Sequence, residues 1–294
     1  MTVVSGKKVV FCEGKQISLD YRLLNRVVEN LGSDQPTIIP TGGKFTFSIF
    51  AEGYFFPNEL EYQQYIFFRD RDFDTAPSED TKLLPLVNAR DKIFAFSTHR
   101  ACVENYLLDA KLIHLYWSSK YIEKQENSSS KWGHKNSPGV ENIAKWIETS
   151  AEKLQNYQAV RWALADLLQM STARAQLKTT WTGGSGKLPS SLTQEDCQSR
   201  AIELICEFRK IVEMVTEESF EKSLDKYQNQ FNQAEFWTNK QYLIWFHGKD
   251  LKKMMQKQEL SYISLDKFFN WAITQLDITQ HSDLMELRTR IDQL

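Results

Sequence analysis

The chain has 294 residues, a formal net charge of −2 and 41% hydrophobic residues, enough apolar matter for one large domain or for a core plus a second module. So small a net charge argues against a protein that coats nucleic acid through bulk charge, while local basic patches can still bind it. No apolar run reaches the roughly 18 residues of a membrane span, Met1 to Lys8 lack the apolar stretch of a secretory signal, and the four cysteines form no C-x-x-C pair that would mark a zinc module. A cytoplasmic protein with no membrane partner is expected.

Val9-Val10-Phe11-Cys12 is a short apolar run that ends in Glu13-Gly14-Lys15. A strand there delivers a carboxylate at its carboxyl end, and glycine turns the chain without crowding whatever approaches. Ser18 is placed to cap a helix through Leu31, with Leu19, Leu23, Leu24, Val27, Val28 and Leu31 on one stripe. Thr37 to Thr41 reads as a second strand and leads through Gly42-Gly43-Lys44 into a short helix. Tyr65 to Asp74, Y-I-F-F-R-D-R-D-F-D, is a third strand running into aspartates at alternate positions, and Lys92 to Ser97 is a fourth. This order predicts an α/β head with a parallel sheet of the βαβ kind and flanking helices.

Beyond Asp109 the pattern becomes helical, giving a mostly helical second half. A polar loop is expected over 124–139, two helices between Val140 and Thr180, a glycine-rich loop over 182–189, one long helix from Gln194 to Asn229, and closing helices at Leu265 to Leu276 and Ser282 to Leu294. The run Tyr242 to Phe246 fits either a further strand or a buried helical turn. Two domains follow: 1–110, α/β, and 111–294, helical, with 242–250 returning to the sheet if that run is a strand. The loop Gly183 to Lys187 is not a P-loop, because Trp181 and Leu188 stand where a glycine and a hydroxyl residue are required. Any ATP dependence must come from a partner. The aromatic content of 13% is expected in the core and at interfaces, with Glu235 to Trp237 and Tyr242 to Phe246 as a docking surface for a regulator.

If strand geometry continues through the acidic run, Asp70 and Asp72 project to the same side about 7 Å apart. Two carboxylates so close call for a proton or a cation between them. Mg²⁺, or Mn²⁺, suits oxygen ligands and keeps waters that a substrate phosphate can displace. One or two such ions supply the activated water, the charge stabilisation and the leaving-group help that phosphodiester cleavage needs. Asp70 and Asp72 are then metal ligands, and Glu13 is either a ligand or a general acid or base. Glu104 adds a ligand, orients a group bound to the metal, or caps the helix that begins nearby. Asp74 reads as a solvated loop carboxylate. Lys15, Lys44, Arg100 and Lys249 are candidate phosphate contacts, with ordinary surface cations as the alternative; His99 is placed to reach the same cleft, and Arg71 is expected to point away into a salt bridge.

These motifs resemble the Toprim domain shared by topoisomerases, primases and OLD-family nucleases. Glu13-Gly14 matches the Glu-Gly after the first strand and Asp70-Arg71-Asp72 the Asp-x-Asp after a later one. Glu104-Asn105-Tyr106 is similar to a Glu-Asn-Tyr signature in an OLD-like branch whose members occur beside ABC-type ATPases in antiphage loci. The likeness covers residues 8–110 and, more weakly, Phe246 to Leu251. It implies a Mg²⁺-dependent (or Mn²⁺-dependent) endonuclease cleaving DNA or RNA, an antiphage effector held in check by a separate ABC-type ATPase, with a homodimer as one form of the released effector. The alternative is a catalytically inactive Toprim-fold interaction protein within an ATPase complex, which the joint presence of Glu13, Asp70 and Asp72 disfavours.

Overall fold

The computed structural model describes residues 8–31, 35–43, 65–86, 95–127, 129–170, 178–209, 215–259 and 261–294. The chain forms two compact units, one of residues 1–71, 77–103 and 270–294, the other of residues 72–76 and 104–269.

The first unit is α/β. Its strands are β1 (Val9–Cys12), β2 (Thr37–Pro40), β3 (Tyr65–Arg69), β4 (Leu84–Leu86) and β5 (Ala95–Ser97), in the order β2-β1-β3-β5-β4. All neighbours run parallel except β4, which pairs antiparallel with β5 at the edge and was not foreseen. Pro85 sits in that strand, where a missing N–H removes no inner ladder bond. Every residue of β1 is buried, as befits an inner strand of a mostly parallel sheet. Helix α1 (Leu19–Val28) connects β1 to β2, and Ser18 caps it by accepting the N–H of Tyr21. The order reverses at β1: the chain moves to β2 on one side, and β3 adds on the other. Such a reversal opens a crevice at the carboxyl ends of the two strands that flank it. The end of the chain also belongs to this unit. Arg288 donates to the carbonyls of Val27 and Glu29, both at 2.8 Å, and Glu286 accepts the N–H of Leu83 at 3.0 Å.

The second unit is helical: α2 (Glu104–Leu107), α3 (Ala110–Glu126), α4 (Val140–Met170), α5 (Gln194–Arg209), α6 (Glu217–Phe231), α7 (Ala234–Thr238), α8 (Tyr242–Trp245), α9 (Gly248–Gln258) and α10 (Leu265–Gln275), the last of which ends in residues grouped with the sheet. A short 3₁₀ turn (Ile278–Gln280) precedes α11 (Ser282–Asp292), and both belong to the first unit. Three expectations are corrected here. Of the stretch from Val140 to Thr180 in which two helices are expected, Val140–Met170 is one continuous helix of 31 residues, since no glycine, proline or cap interrupts it, and 171–177 lie outside the described residues. The single helix expected from Gln194 is two, because Thr216 starts a new one by accepting the N–H of Ser219 at 3.1 Å. The run Tyr242 to Phe246 is a helical turn, so 242–250 adds no strand to the sheet. The loop after α3 also has more to bury than its polar sequence suggests: Trp132 packs edge-on against Tyr116, and Trp117 Nε1 donates to the carbonyl of Lys135 at 2.8 Å. Phe236, Tyr242 and Phe246, expected on a docking surface, are core residues of this unit. Among the described residues no helix is long and apolar enough to cross a membrane.

Candidate metal centre

Glu13 is the first residue beyond β1 and Asp70 the first beyond β3, the two parallel strands at which the sheet order reverses. Glycine is required in the turn that carries Glu13. Gly14 has φ +81°, and a Cβ there would lie 2.5 Å from Ser18 Oγ, the group that caps α1. The same turn is tied to the end of β2, where Gly42 N–H donates to the Gly14 carbonyl at 2.9 Å and Thr41 N–H to that of Cys12 at 2.9 Å.

Asp70 is only 4% exposed, and its Oδ1 accepts the N–H of Val103 at 3.0 Å. That bond brings the strand end of β3 to the segment Cys102-Val103-Glu104. Asp70, Cys102 and Glu104 are all buried, and each offers a ligand atom within 4.8 Å of the others'. Ligand atoms so grouped could be bridged by one cation. The donor set fits the expected ion in part. Carboxylate oxygens suit Mg²⁺ or Mn²⁺, whereas the Cys102 thiol is a poor donor to Mg²⁺ and a better one to softer ions. Cys102 was not anticipated; its spacing two residues before Glu104 is the only local signal for it.

The same-face geometry expected of Asp70 and Asp72 is not found. Strand β3 ends at Arg69, and Asp72 has φ +52°, a left-handed turn conformation that ends strand alternation. Arg71 between them is fully buried: its N–H donates to Thr98 Oγ1 and its Nε to the carbonyl of His99, both at 3.0 Å. Through these two bonds Arg71 braces the ends of β3 and β5. Asp72 is engaged by His247, whose Nε2 lies 3.0 Å from its Oδ1. Asp74 is half-buried and not a fully solvated loop carboxylate.

Among the expected cations, Lys15 is exposed on the turn after Glu13, Arg100 is half-buried beyond β5, and Lys249 is half-buried in the first turn of α9. Lys44 lies outside the described residues. His99 is not a cleft cation: it is buried, and burial pushes its pKa down to about 4, so its ring is neutral at pH 7.

The Glu104-Asn105-Tyr106 motif has a second use. The buried Asn105 amide donates to the carbonyls of Leu243 at 3.0 Å and Phe246 at 2.8 Å, and its oxygen accepts Gly248 N–H at 2.9 Å. Asp250, two residues on, pairs with Arg161 and accepts from Gln158 Nε2 at 2.9 Å and Gly186 N–H at 2.8 Å. The segment His247 to Asp250 is thus held at Gly248 and at Asp250.

No protein-family model and no curated protein matches the chain.

Proposed function

We propose that this chain is a cytoplasmic, divalent-metal-dependent phosphodiesterase that cleaves DNA or RNA, with the layout of a Toprim-like nuclease. The observation that supports it is the coincidence of acidic residues with the switch point of the sheet: Glu13 and Asp70 are the first residues beyond β1 and β3. A ligand crevice belongs there on topological grounds, whatever the motif, and carboxylates suit a hard cation there. Asp70 and Glu104 are read as carboxylates that hold Mg²⁺ or Mn²⁺; Asp72, which shares no strand face with Asp70, is read as a further ligand on the family likeness alone, and Glu13 as a ligand or as general acid or base. When bound, the ion supplies a polarised phosphate and an activated water. Lys15, Arg100 and Lys249 are read as contacts to substrate phosphates. The role of antiphage effector, restraint by a separate ABC-type ATPase and a homodimeric active form rest on the family likeness.

The test is to incubate the purified chain, alone and co-expressed with a neighbouring ATPase, with Mg²⁺ or Mn²⁺ and double-stranded DNA, single-stranded DNA and structured RNA. Cleavage of at least one substrate that stops on chelation supports the reading. Failure to cut any of them in either preparation overturns it.

A further inference from the structure

His247 stands at the start of α9, in a segment where the metal reading uses only Lys249. Its ring is 1% exposed, and both ring nitrogens are engaged. Nδ1 lies 3.3 Å from the backbone nitrogen of Lys249 and accepts its N–H as the cap of the helix. A backbone N–H can only donate, so Nδ1 is the acceptor and Nε2 is left as the donor of the ring. Nε2 therefore donates to Asp72 Oδ1, 3.0 Å away.

The orientation of the ring is also set by its surroundings. It stacks on Phe73 with centroids 5.8 Å apart and planes 18° from parallel, while its backbone N–H donates to Gln158 Oε1 at 3.1 Å. Phe73 in turn lies beneath the guanidinium of Arg161 at 4.1 Å. Asp72 has the left-handed φ of +52°, a turn conformation that aspartate adopts more readily than most residues other than glycine.

We infer that His247 is the positioning residue of Asp72: it fixes one carboxylate oxygen so that the side chain is presented to a divalent cation in a single orientation. This rests on the reading of Asp72 as a metal-binding carboxylate given under the proposed function. Carboxylate ligands are commonly oriented by hydrogen bonds of this kind from outside the coordination shell. His247 itself is not a ligand, because the nitrogen nearest Asp72 carries the proton and has no lone pair to give.

Two substitutions separate this role from simple helix capping. In His247→Asn the amide oxygen replaces Nδ1, so the cap survives and the bond to Asp72 is lost. In His247→Gln the amide nitrogen replaces Nε2, so the bond to Asp72 survives and the cap is lost. Mn²⁺ alone is titrated calorimetrically into the full chain, beside thermal melts. The expected result is an affinity about tenfold or more weaker in His247→Asn and close to wild type in His247→Gln, whatever the order of the melting temperatures. Equal affinities in both variants, or a weaker affinity in His247→Gln than in His247→Asn, overturn the inference. Absence of Mn²⁺ binding by the wild type removes the metal reading and this inference with it; wild-type binding with an unchanged His247→Asn removes this inference alone. A measurement without variants decides the matter if His247→Asn does not fold. In ¹⁵N-histidine-labelled wild-type protein, the Nε2–H resonance of His247 is expected to move on addition of Mg²⁺, and a resonance that stays in place overturns the inference.

Discussion

Gly248 lies so close to Asn105 that a Cβ on it would come within 2.7 Å of the Asn105 amide oxygen, the same atom that accepts the Gly248 N–H at 2.9 Å. The added atom would also meet the Asn105 backbone nitrogen at 2.8 Å and Glu104 Cβ at 2.9 Å, so a side-chain rotation cannot relieve it. The closeness is what lets one amide bond three backbone groups of the segment Leu243 to Gly248.

Gly248→Ala is therefore expected to destabilise the protein by about 1–3 kcal/mol through overpacking. Asn105→Ala should cost at least as much, because it strands two carbonyls and one N–H inside the protein. Denaturant unfolding of both variants checks this, and a midpoint unchanged in either shows the contact to be slack.

Arg161 and Asp250 form an ion pair with side chains 3% and 0% exposed, held further by Gln158, Gly186 and Ser185. Removing one partner leaves a buried charge, so Arg161→Met and Asp250→Ala should each lose about 3–5 kcal/mol. The double variant should lose clearly less than the sum of the two. Additive losses in unfolding experiments would show that the charges do not depend on each other.

The first strand, its carboxylate and the cap of α1 could be read directly, because strand burial, the glycine turn and a serine cap are decided within a few residues. Long-range relations left no such trace. Asp72 and His247 are 175 residues apart in sequence, and neither carries a local pattern that names the other. The alternate spacing of Asp70 and Asp72 misled because spacing predicts a shared face only while the strand lasts, and the left-handed Asp72 lies past its end. Strand β4 is only three residues long with a central proline, too short to show a period. The break between α5 and α6, by contrast, was available in Thr216-Glu217-Glu218-Ser219, a capping sequence hidden within a continuous apolar stripe.

His99 should make stability fall in mild acid. Burial lowers its pKa from 6.5 to about 4, so between those values the unfolded chain takes up a proton that the folded chain refuses. The stability is complete above pH 6.5 and declines as pH drops toward 4, with a slope from this group of up to about 1.4 kcal/mol per pH unit. Replacing His99 with Gln should flatten the dependence of unfolding free energy on pH in that window. A slope identical to wild type would mean that His99 takes up its proton as readily in the folded protein as in the unfolded chain.

The most direct test of the metal-dependent phosphodiesterase is cleavage by Glu13→Gln and Asp70→Asn beside the wild type at saturating Mg²⁺. Both are nearly isosteric, and Asn at position 70 keeps an oxygen to accept the Val103 N–H, so both should melt close to wild type. The account predicts that each loses about a hundredfold or more in cleavage rate while remaining folded. A folded variant that cuts at near the wild-type rate would contradict the placement of the reaction at the ends of β1 and β3.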